Sequence, residues 1–123
     1  KHSYFGRTNT HNDWPKALLA LCKENKFKHV LEFGSGDGSL GVELIKQAKK
    51  ENIQLIWHGI EINKNLRQQT KTDFKNEGLK QSLGKVAASG KDIAIDEPCL
   101  VVFSYSLDSV PPEIFINTKT IPP

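Results

Sequence analysis

The stretch His29-Val30-Leu31-Glu32-Phe33 runs directly into Gly34-Ser35-Gly36-Asp37-Gly38 and then into a segment with helical spacing. A short apolar strand that carries an acid and turns through three alternating glycines has few structural options. Glycines let the backbone take positive φ and pass close to a neighbour or a ligand. The helix after the turn points its free N–H groups at the same place. The plain alternative is a tight strand-to-helix turn with no ligand.

The rest of the chain fits a sheet around that unit. Asn12-Asp13 before Trp14-Pro15 reads as a helix start, with Asp13 as cap and a proline in the first turn. Leu18, Leu19, Leu21 and Cys22 give that helix one apolar stripe. A second helix is expected over residues 39–51, with Leu40, Leu44, Ile45 and Ala48 facing inward. Residues 53–62 read as a second strand, 63–77 as a third helix stopping at Gly78, 86–88 as a short third strand and 99–103 as a buried fourth strand. The link over 89–98 has room for only a turn of helix. This order predicts an α/β domain with a mostly parallel sheet and flanking helices. Residues 1–12 read as irregular, and 111–123, with four prolines, as an extended tail. Four parallel strands leave an open sheet edge, for which a partner or a further chain segment is the expected cover.

The 123 residues make one domain of ordinary soluble composition, 37% hydrophobic and 25% charged. There is no membrane-length apolar run, and Lys1-His2-Ser3-Tyr4 carries no signal-peptide core. The start at Lys1 and the absence of Met suit a trimmed piece of a longer chain. Cys22 and Cys99 read as reduced core thiols, which points to a reducing, cytoplasmic compartment, and no Cys/His spacing suggests a metal. The net charge of +3 does not demand a nucleic-acid partner. Lys64, Arg67, Lys71 and Lys75 line one helix face. They read as a solvated row balanced by Asp73 and Glu77, with phosphate contact as the rival. His11 and His58 read as structural or surface groups.

In an open parallel sheet, ligands bind beyond the carboxyl ends of the strands, and the unusual polar residues fall there. Gly36, Gly38 and Gly41 also satisfy the G-x-G-x-x-G spacing of dinucleotide binders, with Glu61 20 residues after Gly41. Glu32 separates the ligand classes. A carboxylate there would repel a pyrophosphate on the turn and suits a cationic amino group and sulfonium, which makes S-adenosylmethionine the leading candidate. Alternatively, Glu32 braces the loop by accepting N–H bonds. Glu61 can accept both hydroxyls of a ribose, with Ile62 against an adenine face. The rival is a solvated strand-end acid.

Leu31-Glu32-Phe33-Gly34-Ser35-Gly36-Asp37-Gly38, followed by Gly59-Ile60-Glu61-Ile62, resembles the nucleotide-binding half of class I S-adenosylmethionine-dependent methyltransferases. The resemblance covers about residues 29–108. It implies a Rossmann-like fold, here the N-terminal cofactor-binding half of a seven-strand sheet, with S-adenosylmethionine held by Glu32, Gly34, Ser35, Gly36, Gly38, Glu61 and Ile62. Asp92, in Lys91-Asp92-Ile93, matches the family's acid near the adenine amine. The family's fourth-strand motif falls at residues 103–108, which puts Ser104 beside the cofactor and Tyr105 and Asp108 on the acceptor side as candidate catalytic groups. Residues 104–111 are also similar to the N-E-L-x-D-A-x-P stretch of mitochondrial complex I assembly-type arginine methyltransferases, except that Tyr105 replaces the acid.

Methyl transfer needs donor and acceptor positioned in line. It needs a base only where the acceptor must lose a proton. The sequence does not name the acceptor, and a protein or small molecule is expected ahead of a nucleic acid. Three rivals stay open: an NAD-type oxidoreductase, a non-catalytic module on the same fold, and an RNA or DNA methyltransferase using the basic helix.

Overall fold

A computed structural model describes residues 2–5, 14–104 and 113–117. In chain order the elements are β1 (His2–Phe5), α1 (Trp14–Asn25), β2 (His29–Phe33), α2 (Ser39–Lys50), β3 (Ile56–Ile60), α3 (Lys64–Asn76), β4 (Leu83–Ala87), β5 (Cys99–Phe103) and β6 (Glu113–Asn117). The sheet order is β1-β6-β5-β2-β3-β4. β2 pairs in parallel with β3 and β5, and β3 in parallel with β4. β6 runs antiparallel to β5, and β1 antiparallel to β6. From β2 the chain steps outward through β3 and β4, then returns to β5 on the other side. The strand order therefore reverses between β2 and β5, the switch point at which open α/β sheets bind ligands. Four parallel strands with flanking helices make this a Rossmann-like α/β fold.

Alternation along the strands separates two buried layers. Val30, Trp57, Leu100 and Val102 pack under Leu18, Leu19 and Cys22 of α1, Leu44, Ile45 and Ala48 of α2, and Phe74 of α3. Leu31, Ile60, Cys99 and Val101 face the other way, onto Ile93 and Ile95 of the short link, beside the stacked rings of Phe33 and Phe103. Each such aliphatic side chain stabilises by about 1.5–3 kcal/mol when fully buried. Both cysteines are free and buried, and burial pushes both thiols up to about 12. Among the described residues, no helix is long and apolar enough to cross a membrane.

The local signals explain the helix ends. Asn63 caps α3 by accepting from the N–H groups of Asn65 and Leu66 at 2.9 and 3.1 Å, a contribution of about 1 kcal/mol. Just beyond α3, Gly78 turns the chain at φ +71°. The Asp13 cap lies outside the described residues.

The strands depart from expectation at both ends of the chain, in β3, which is shorter than the 53–62 expected, and in β4. Residues 1–12 and 111–123 read as irregular and extended, yet residues 2–5 and 113–117 form β1 and β6. Proline dominated the reading of the tail. Ile114-Phe115-Ile116 between the prolines has the β-branched and aromatic character of a strand, and β6 covers the β5 edge with the chain's own residues. β4 also starts earlier than the 86–88 expected, because its first half is irregular. Pairing with β3 shifts between Trp57 and Gly59. The His58 ring lies where a side chain on Gly84 would stand. His58 Nδ1 accepts from the Lys85 N–H at 3.2 Å, standing in for a backbone carbonyl. Its Nε2 is then the protonated nitrogen and meets His29 Nδ1 at 2.9 Å, leaving His29 Nε2 for Glu97 at 2.9 Å. His58 is thus structural, as read.

Gly41 has its own constraint. It sits in the first turn of α2, where a methyl group would stand 2.5 Å from the fully buried Trp57 indole. An exposed helical glycine gains about 1 kcal/mol on change to Ala. Overpacking against a rigid ring costs about 1–3 kcal/mol, so the sign should reverse. Gly41→Ala is expected to lose about 1 kcal/mol in urea unfolding; a gain would show that the ring yields.

Candidate functional site

The glycine turn stands at the switch point. Gly34, Gly36 and Gly38 have φ of +70°, +59° and +79°. Gly34 lies against the Ser104 carbonyl at the end of β5, so no side chain fits there. At Gly36 an added methyl would meet nothing within 4 Å, so the crest of the turn is open. The turn is pinned from below. The N–H groups of Gly34 and Ser35 donate to the Ile60 carbonyl at 2.8 and 3.1 Å, and Gly38 N–H donates to the Ser35 carbonyl at 3.0 Å. α2 starts at Gly38 without a side-chain cap. Asp37 accepts from Ser39 N–H at 3.0 Å and from its hydroxyl at 2.6 Å.

Glu61 ties this turn to the end of β3. Its Oε1 accepts from Gly36 N–H at 2.9 Å and its Oε2 from Asn63 N–H at 3.0 Å. A carboxylate has about four acceptor positions, so both oxygens keep capacity for a ligand. Arg67 donates to the carbonyls of Glu61 and Ile62 at 2.8 and 2.7 Å, which fixes the loop between β3 and α3. Ile62 rides on that loop at 85% exposure, a large apolar side chain left in solvent beside the turn.

Glu32 lies beneath the turn, not at its mouth, and is 2% exposed. Its Oε1 accepts from the Trp57 indole N–H at 3.1 Å. Bracing is therefore its visible role, although through an indole and not the backbone. Burial pushes its carboxyl up to about 7, against the opposing pull of the Ser104 hydroxyl and Trp57 and with a push from Asp37. Ser104 Oγ is sealed from solvent, and its hydroxyl faces the Glu32 carboxyl at longer than ordinary hydrogen-bond geometry. Trp57 is the residue that the motif reading missed. Its ring stacks on Phe74 with centroids 5.3 Å apart and fills the space beside Gly41 and Gly59.

The other candidates divide. Ser35 is 6% exposed, with its hydroxyl 3.5 Å from the Ile60 carbonyl, so it faces β3 and holds the turn. Asp92 is exposed on the single 3-10 turn Gly90–Asp92, whose Gly90 lies alongside Ile60 and Phe33 at the same end of the sheet. Tyr105, Asp108 and His11 lie outside the described residues. The basic row is not balanced as expected. Arg67 serves backbone carbonyls, Asp73 accepts from Gln69 at 2.8 Å, and Glu77 pairs with Lys46 of α2 at 2.9 Å. Lys64, Lys71 and Lys75 are exposed.

No protein-family model matches this chain, and no curated protein matches it. Solved structures do match in fold. A Burkholderia thailandensis protein crystallised with S-adenosyl-homocysteine aligns at TM-score 0.62 and 18% identity, over 81% of this chain and 26% of that one. A candidate caffeoyl-CoA O-methyltransferase from Staphylococcus aureus aligns at 0.55 and 12%, over 81% and 59%. The S-adenosylhomocysteine-bound Podospora anserina methyltransferase PaMTH1 aligns at 0.52 and 13%, over 71% and 35%. The chain thus shares a Rossmann-like fold with these proteins, and spans about a quarter to three-fifths of their length.

Two buried groups give opposed pH dependences. Glu32 moves from an ordinary 4.5 to about 7, so its protonated form favours the folded state. That stability is complete below the unfolded value and is lost as pH rises through the folded one. His58 is pushed down from 6.5 to about 4, by burial first and then by His29. Its contribution is present above the unfolded value and lost as pH falls through the folded one. The two offset each other in the parent chain. Glu32→Gln removes the Glu32 dependence and keeps that of His58, so its urea midpoint should rise relative to the parent as pH goes from 4.5 to 8. A constant difference would contradict this assignment.

Proposed function

We propose that this chain binds S-adenosylmethionine at the glycine turn and serves methyl transfer to a protein or small-molecule acceptor. The observation that carries the reading is the open crest at Gly36, flanked by the Glu61 carboxylate and by the 85%-exposed Ile62. This pairing suits a ribose on the acid and an adenine face on the aliphatic side chain. When bound, S-adenosylmethionine supplies a methyl group on a sulfonium centre.

The chain's own residues then have distinct parts. Glu61 accepts from the ribose hydroxyls with its remaining lone pairs. Ile62 covers one face of the adenine, and Asp92 accepts from its amine. The N-terminus of α2 beyond Ser39, whose own N–H is held by Asp37, suits a ligand carboxylate. Gly34, Gly36 and Gly38 keep the backbone close, and Ser35 keeps the turn on β3. Ser104 borders the site at the end of β5. Tyr105 and Asp108 are the proposed acceptor-side groups, with Asp108 as the base where the acceptor must lose a proton. An arginine acceptor is the narrower version of this reading and rests on residues 104–111 alone. The two buried free thiols favour a reducing, cytoplasmic setting.

The NAD-type rival shares Glu61 and Ile62 but must rest a pyrophosphate over Glu32 and Asp37, which is unfavourable. Calorimetric titration separates the two. S-adenosylmethionine and S-adenosylhomocysteine are expected to bind and NAD is not. Ile62→Asp, at an exposed position, should weaken binding roughly tenfold, about 1.4 kcal/mol, with unchanged stability. Glu61→Ala should weaken it by about 1–3 kcal/mol through an unpaired polar contact. Preference for NAD, or no effect of Ile62→Asp, would overturn the reading.

A further inference from the structure

Among the described residues, the charges around the turn do not balance. Glu32 lies under it, Asp37 within it, and Glu61 bonds to its crest at Gly36. Of the two cations in the first turn of α3, Arg67 is committed to the carbonyls of Glu61 and Ile62, and Lys64 is exposed. Among the described residues, the side chains of Ser35, Ser39, Trp57, Thr70 and Ser104 around the turn are neutral. Glu32 has one donor on Oε1, and the hydroxyl closest in influence, Ser104 Oγ, is sealed from solvent without a partner. Among the described residues, Glu32 is a buried acid with no counter-ion, and the Ser104 hydroxyl stands beside it.

We propose that Glu32 is a proton-linked, charge-compensating residue: a cationic ligand seated on the glycine turn drives off the Glu32 carboxyl proton, and its positive charge takes the proton's place. This rests on the cofactor reading above and adds to it how the site recognises charge. The O–H bond of the carboxyl breaks, its proton passes to the buffer, and the carboxylate stays in the site. Oε1 keeps the Trp57 indole, and the Ser104 hydroxyl gains an anion to which it can donate. A neutral ligand releases no proton and gains nothing from Glu32. Binding of a cation should therefore tighten as pH rises through neutrality.

Two measurements on the full chain test this. In the ligand-free protein, the Trp57 indole Nε1–H resonance is expected to titrate with a midpoint near 7 and to be flat in Glu32→Gln, which keeps an acceptor for the indole. With S-adenosylmethionine, calorimetry at pH 7 in phosphate and in Tris should give different heats, corresponding to release of about half a proton. That difference should fall away in Glu32→Gln. Between pH 6 and 8 the parent should gain about tenfold in affinity relative to Glu32→Gln, a comparison that cancels the ligand's own titration. A flat indole resonance, or binding with equal heats in the two buffers, overturns the inference and leaves the cofactor reading standing. No binding in either buffer overturns both.

Discussion

The hydrogen bond from the Trp57 indole to Glu32, 3.1 Å long and fully buried, is the contact on which the remaining geometry depends. It joins β3 to β2 from side chain to side chain, directly below the glycine turn. The same ring sets how closely α2 approaches the sheet, because it occupies the space beside Gly41 and Gly59, and it carries Phe74 of α3 on its face. One side chain therefore fixes the separation of two strands and two helices. Burying a carboxyl to achieve this would be costly if it stayed ionised, and its raised pKa is the physical response.

Above that contact the site follows from the topology. The strand order reverses between β2 and β5, so the turn after β2 and the residue after β5 face each other as Gly34 and the Ser104 carbonyl. Glu61, one residue past β3, reaches across to Gly36 and braces the turn while keeping acceptor capacity. The helices α1, α2 and α3 cover one face of the sheet, while the other is covered in the described residues by Ile93 and Ile95 of a short link. This is the part of the fold that the chain shares with the solved structures it aligns to, and function depends on sites that vary between proteins of one fold.

Much of this was legible in the residues. The glycine spacing predicted the turn. The apolar runs predicted four parallel strands, and Asn63 and Gly78 marked the ends of the third helix. What escaped depended on long-range contacts. Glu32 read as a strand-end acid open to a ligand, yet it shares the face of Val30 two positions earlier, and period-two alternation puts that face under the helices. Gly41 read as part of a dinucleotide spacing, although its constraint is a tryptophan 16 positions later in the chain. The irregular start of β4 comes from His58 accepting the Lys85 N–H, a pairing that no local pattern records. β6 was hidden because prolines on both sides of Ile114-Phe115-Ile116 outweighed its strand character.

The central claim is that the open crest of the turn, with Glu61 and Ile62, is a ligand seat for S-adenosylmethionine and its product. Amide NMR during titration with S-adenosylhomocysteine tests it most directly, because every described element reports separately. The account predicts saturable shifts confined to residues 34–38, 61–63 and 90–92 and to the end of β5, with the C-terminal half of α2 and the lysines of α3 unmoved. Shifts centred on Lys64, Lys71 and Lys75, or a spectrum that does not change, would contradict it.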